Sequence, residues 1–204
     1  MRLKSALRRG VAAAVIAGIV VSSGIPAYAG TWDIADGDIT VKAGDAEGTN
    51  RVTQGEKDVE DTDTVITGES KENTVTIDTS KGDVDVIFDD LKIDVSGKTE
   101  GDGSGDGPID ESKAAVTVQG DHDATIELDG KNELKSGGYN AGLEKNGHES
   151  SGKLTIKDDN DTKGSLTAKG GEGGGAGIGG GYESGAGNIE ITGGTIKAEG
   201  GEGA

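Results

Sequence analysis

Four times after Asp85 the chain writes a short run in which apolar and polar residues alternate before an Asp or Gly: VIFDD, TIELDG, LTIKDD and IEITGG. Period-two alternation over so few residues is the mark of a half-buried strand. The apolar pairs are Val86/Phe88, Ile126/Leu128, Leu154/Ile156 and Ile189/Ile191. Each is followed by a second run whose pairs match in turn: Ile93/Val95, Leu134/Ser136, Leu166/Ala168 and Ile196/Ala198. Three of the four continue into a third run, with pairs Ala114/Val116, Ala141/Leu143 and Ala176/Ile178. The unit is therefore three short strands separated by corners, and it recurs at intervals of about 28 to 40 residues.

One such unit cannot bury its apolar side, whereas stacked units bury a continuous stripe. The fold expected is all-β, a right-handed parallel β-helix with three short strands per coil, its hand following the crossover rule for parallel strands. Residues 85–204 carry the repeats. Residues 30–84 are expected to hold an N-terminal cap and one incomplete coil using Ile39/Val41, Val65/Ile66 and Val75/Ile77, with Trp32 covering its open side.

Composition alone points the other way. With 39 glycines, 2% aromatic residues and a formal net charge of −18, the chain has the signature of disorder. The periodicity overrules it, and the glycines become corner residues that supply positive φ. Gly175, Gly177 and Gly180 also fit a dinucleotide-binding fingerprint. That motif requires a helix to follow, and here the strand IEITGG follows instead. The closing GGEGA restarts the earlier GGEGGGA, so the last coil reads as incomplete and the parent chain is expected to continue.

Residues 1–29 read as a secretory signal peptide: Arg2, Lys4, Arg8 and Arg9, an apolar stretch from Val11 to Val21, and the small-x-small pattern Ala27-Tyr28-Ala29. Its loss leaves one domain's length and a charge four units more negative, a surface that repels nucleic acid and anionic lipid. The expectation is a secreted or extracellular protein with no membrane insertion after signal removal, and an anchor in the continuing sequence would fix it to the cell wall. With no cysteine, stability must come from packing or metal.

Three sets of corner residues carry candidate chemistry. In KTEGDGSGDGPIDES, Asp102, Ser104, Asp106 and Asp110 fall at alternating positions of a calcium loop, with Gly107 at its tight turn. Lys113 stands where the bidentate Glu belongs and Pro108 fills another ligand position, so a partial calcium loop and a plain acidic loop are both open readings. A second row, Asp89/Asp90, Asp129 and Lys157/Asp158/Asp159, is either a cation site or a solvated acidic face neutralised by Lys131 and Lys157. The third row brings His122, His148 and Tyr182 into a ridge beside Asp123, Glu149 and Glu183, offering flat rings and carboxylates to a sugar. Tyr139, at another corner, is a second sugar-binding candidate.

The run from TIELDGKNELKSGG to GNIEITGGTIKAEGG resembles the secreted bacterial proteins described as carbohydrate-binding domain-containing. Its repeat pattern is also similar to a β-helical family that binds acidic plant polysaccharides such as polygalacturonate, with calcium in the fold. The resemblance implies an extracellular polysaccharide partner and calcium as cofactor. It does not imply catalysis: Arg51 is the only arginine after the signal, and the G-H-G and R-I-K elements of polygalacturonases are missing. The function expected is non-catalytic binding of an acidic polysaccharide with calcium assistance. A structural stalk or adhesin segment is the alternative, and a pectin-degrading enzyme ranks behind both.

Overall fold

The computed structural model describes residues 29–97 and 113–202, all-β apart from one short 3-10 turn, Ile34–Asp36. Residues 1–28, nearly all of the expected signal peptide, and the calcium-loop candidates Asp102, Ser104, Asp106 and Asp110 lie outside the described residues.

Period-two sequences make the strands, and the strands fall into two sheets. The first contains β1 (Thr31–Asp33), β5 (Val65–Ser70), β7 (Val84–Asp94), β9 (Ala124–Lys135), β11 (Leu154–Lys157), β12 (Gly164–Lys169), β14 (Ile189–Ile191) and β15 (Thr195–Glu199). The second contains β2 (Ile39–Ala43), β3 (Asn50–Gln54), β4 (Lys57–Asp61), β6 (Val75–Asp78), β8 (Val116–Gln119), β10 (Leu143–Glu144) and β13 (Ile178–Gly179). The chain crosses the first sheet, then the second, then returns, and each strand pairs in parallel with the strand one pass later. Among the described strands, only the β2–β3 and β3–β4 pairs are antiparallel, forming a meander at one edge of the second sheet.

In-register stacking lines the apolar residues into columns. Trp32, Ile66, Phe88 and Leu128 are successive partners, and all are buried. Val116, Leu143 and Ile178 form a similar column in the second sheet, as the third-run pairs predict. Complete burial of one such side chain contributes about 1.5–3 kcal/mol, so each column holds adjacent passes together. Trp32 closes the first column, its indole N–H donating to Asp61 Oδ2 at 2.6 Å, while Lys57 lies over its ring.

The structure corrects the sequence reading in three places. The first corner is not a turn in β7 or β9: each strand runs on through it, and the bend is a register irregularity near Asp90, whose φ is 50°. Leu154/Ile156 pair with Ala124/Ile126 rather than with Ile126/Leu128, and Leu166/Ala168 pair with Asn132/Leu134. Finally, the proposed single incomplete coil is two passes. Ile39 pairs with Val75 and Val41 with Ile77, so these belong to successive rounds, while Val65 and Ile66 pair back to Thr31 and Trp32.

Buried polar residues tie the passes together. Asn132 occupies an inward position and is fully buried. Its Oδ1 accepts the Leu91 N–H at 2.9 Å, and its Nδ2 donates to the carbonyls of Asp129 and Ser165 at 2.9 and 3.1 Å. One side chain thus reaches three passes, and leaving those buried groups without partners is what its removal would cost.

Candidate functional site

Many of the carboxylates already have structural work. Asp38, Asp83 and Asp123 each directly precede a strand. Asp38 Oδ1 accepts the Thr74 N–H at 2.7 Å, Asp83 Oδ1 that of Asp123 at 3.0 Å, and Asp123 Oδ1 that of Lys153 at 2.8 Å. An acid at the start of one pass therefore accepts an amide N–H at the start of the next. Sequence reading missed this role, although the position of each Asp just before a strand was its signal.

The acidic row at the bend behaves similarly. Asp89 and Asp129 are register partners, and burial, then Asp90 and Asp129, raise the Asp89 carboxyl above the ordinary range. Lys157 Nζ lies 3.2 Å from Glu127 Oε2 and 3.1 Å from Asp159 Oδ1, and Asn160 Nδ2 donates to Asp129 Oδ1. Glu127 Oε1 accepts the Asp159 N–H at 3.0 Å. Among the described residues no group of three or more His, Cys, Asp or Glu side chains is placed to hold a metal ion. The cleft above this row, about 870 Å³ between residues 44–49 and the first sheet, has no aromatic residue in its wall.

The aromatic residues meet elsewhere. His122 and His148 do sit on stacked loops, joined by the Gly120 N–H to Glu149 carbonyl bond of 3.1 Å and by Ser151 Oγ donating to Asp121 Oδ1 at 2.9 Å. His148 is exposed, with Nε2 3.6 Å from Glu149 Oε1. The loop after β13 stacks on the His148 loop, with Gly181 N–H donating to Asn146 Oδ1 and Gly147 N–H to the Gly185 carbonyl. Tyr182, however, pairs with Tyr139 rather than with the histidines. Its N–H donates to the Tyr139 carbonyl at 2.8 Å, and the rings stand 5.3 Å apart, tilted by 52°. Tyr139 precedes β10 and Tyr182 follows β13, so two different corners bring their rings together.

Glycines permit this arrangement by close approach. A methyl at Gly173 would lie 2.3 Å from Tyr139 Cδ1, and one at Gly181 would lie 2.9 Å from Glu144 Oε2. Glu144, buried nearby, accepts the Ala141 N–H on Oε2 and an Asn146 amide N–H on Oε1. Burial raises its carboxyl against those bonds, with Glu149 adding to the rise. The tyrosines themselves remain about half exposed, at 44% and 48%. A paired ring surface of this kind suits the apolar face of a sugar. Beside Tyr139 opens a cleft of about 500 Å³, lined also by Ser96, Lys135, Ser136, Lys169 and Glu172. Its volume is in the range that takes small ligands.

Arg51 is remote from the rings. It lies on β3, with Nε 2.8 Å from Asp58 Oδ1, in the meander at the opposite edge of the second sheet from β10 and β13. Among the described residues no helix is long and apolar enough to cross a membrane. No family model, curated protein or solved structure matches the chain.

Proposed function

We propose that this chain is a secreted, non-catalytic carbohydrate-binding domain built on a right-handed parallel β-helix, and that a polysaccharide lies across Tyr139 and Tyr182. The observation that carries the reading is the ring pair: two half-exposed tyrosines from separate corners on one face. The handedness rests on the parallel crossover between successive passes, which is right-handed in nearly all proteins. Non-catalytic binding is supported by the engagement of Glu144 with its own loop and of Arg51 with Asp58. A calcium ion held by Asp102, Ser104, Asp106 and Asp110 would add a bridge to an acidic chain.

Affinity electrophoresis through gels containing acidic or neutral polysaccharide tests this, with wild type, Tyr182→Ala and Tyr139→Ala run in calcium and in chelator. The expected outcome is retardation of wild type and about tenfold weaker binding for either variant. Loss of retardation in chelator assigns the calcium bridge. Unretarded migration of wild type in every gel overturns the reading and favours a structural stalk, in which the stacked repeats provide length.

A further inference from the structure

The strands of the outermost pass, β13, β14 and β15, are paired on one side only, with β10, β11 and β12. Among the described residues no strand pairs with their other edge. Ile178, Ile189, Ile191 and Ile196 stand in register with Leu143, Leu154, Ile156 and Leu166, all four fully buried. They are themselves covered less: three are half-buried and Ile191 is 49% exposed. Free backbone groups beside uncovered apolar side chains make an edge to which another strand can be added.

Which groups are free follows from the bonds already made. The Leu154 N–H donates to the Asn188 carbonyl and the Thr192 N–H to the Ile156 carbonyl, each at 2.9 Å. Asn188, Glu190 and Thr192 therefore turn their backbone towards β11, and the alternate residues Ile189 and Ile191 point N–H and C=O at the open edge. On β15 the Glu199 carbonyl accepts the Gly170 N–H, so Glu199, Lys197 and Thr195 face β12 while Ile196 and Ala198 face outward.

The two strands follow one another along a single edge, and that edge is complementary to itself. A second copy turned about a two-fold axis can lay its β15 antiparallel to β14 and its β14 antiparallel to β15. With Ile189 opposite the partner's Ala198, and Ile191 opposite the partner's Ile196, every residue with free backbone groups meets another, and inward side chains meet inward side chains. The same register sets Thr192 opposite the partner's Thr195 and Glu190 opposite the partner's Lys197. A slip of two residues one way sets Glu190 against the partner's Glu199, and a slip the other way sets Ile191 against the partner's Gly194. Within its own chain Glu190 already meets Lys153, and Lys197 meets Glu199, both pairs solvent-exposed. The contact between copies thus extends a run of alternating charge.

We propose that the chain forms a two-fold symmetric dimer by adding the β14–β15 edge to the same edge of a second copy, with the axis between Gly193 and Gly194. The pairing occupies both edges, so it closes at two copies. It is independent of the sugar-binding reading.

Sedimentation velocity of the whole secreted chain, from low to high micromolar concentration, tests it. The expected result is a monomer–dimer equilibrium with no larger species. Glu190→Lys and Lys197→Glu each set like charges opposite one another at two symmetric points, and each should raise the dissociation constant about tenfold. The double variant, with the charges exchanged, should return to within about threefold of wild type. The chain has no cysteine, so a mixture of the Thr192→Cys and Thr195→Cys variants reads the register directly. On oxidation the mixture should give a crosslinked dimer, and either variant alone little. A monomer at every concentration, assemblies that keep growing, a dimer unmoved by either charge reversal, or a mixture that crosslinks no better than its components overturns the inference.

Discussion

Several acidic side chains in this protein accept amides one pass away, as Asp38, Asp83 and Asp123 do. Asp89 is placed differently and costs stability. Its folded-state carboxyl is raised by burial, then by Asp90 and Asp129, so the ionised form is disfavoured in the folded state relative to the unfolded chain. The penalty is present in full at neutral pH and disappears as the pH falls through the raised folded value towards the ordinary value of about 4. Asp89→Asn keeps the shape and removes the charge. Thermal melts should show the variant about 1–2 °C more stable than wild type at neutral pH, with the gap closing as the buffer is acidified. A gap that does not depend on pH would rule out this account of Asp89.

Corners set both the packing of the strands and the position of the rings, and two glycines separate those effects. A methyl on Gly175 would sit 2.0 Å from the Asn140 carbonyl oxygen, a backbone atom that cannot move aside without opening the stack. Gly175→Ala should cost about 3 kcal/mol or more, read as a lowered denaturation midpoint. A methyl on Gly173 meets a side-chain ring instead, so Gly173→Ala should push Tyr139 away from Tyr182, weaken sugar binding and leave the midpoint nearly unchanged. Equal effects of the two variants on both readouts would contradict the argument.

The inward faces of these strands were legible in the sequence because alternation fixes which side of a strand is apolar. Register was not. The slip at Leu154/Ile156 is two residues, and a two-residue slip returns every side chain to the same face, so the pattern is blind to it. The bend inside β7 and β9 was read as a turn because Asp89-Asp90 and Asp129-Gly130 have turn composition, though the ladder continues past them. The site was half legible. All four ring residues lie at corners as read, but the Tyr139–Tyr182 contact depends on loop paths that glycine permits and no periodicity encodes.

As a stack, the molecule has a graded interior. Phe88 and Leu128 are fully buried in the middle passes, whereas Ile191 on the outermost described strand is 49% exposed. Parallel pairing also means that almost every strand finds its partner a full pass away in sequence, as Phe88 finds Leu128. Outside the β2–β4 meander, no rung can form until a segment of that length has closed on itself, and the entropy of closure is spent before the first apolar column returns anything. Once β7 and β9 have joined over their long ladder, each further pass meets a ready edge and closes at little extra loss. Refolding should therefore be limited by one early event and take on the order of milliseconds to seconds rather than microseconds. Stopped-flow fluorescence of Trp32 can time it, and a microsecond phase carrying the full amplitude would refute it. The glycine-rich corners that let the passes stack so closely thus set the tempo: the chain is slow to begin and quick to continue.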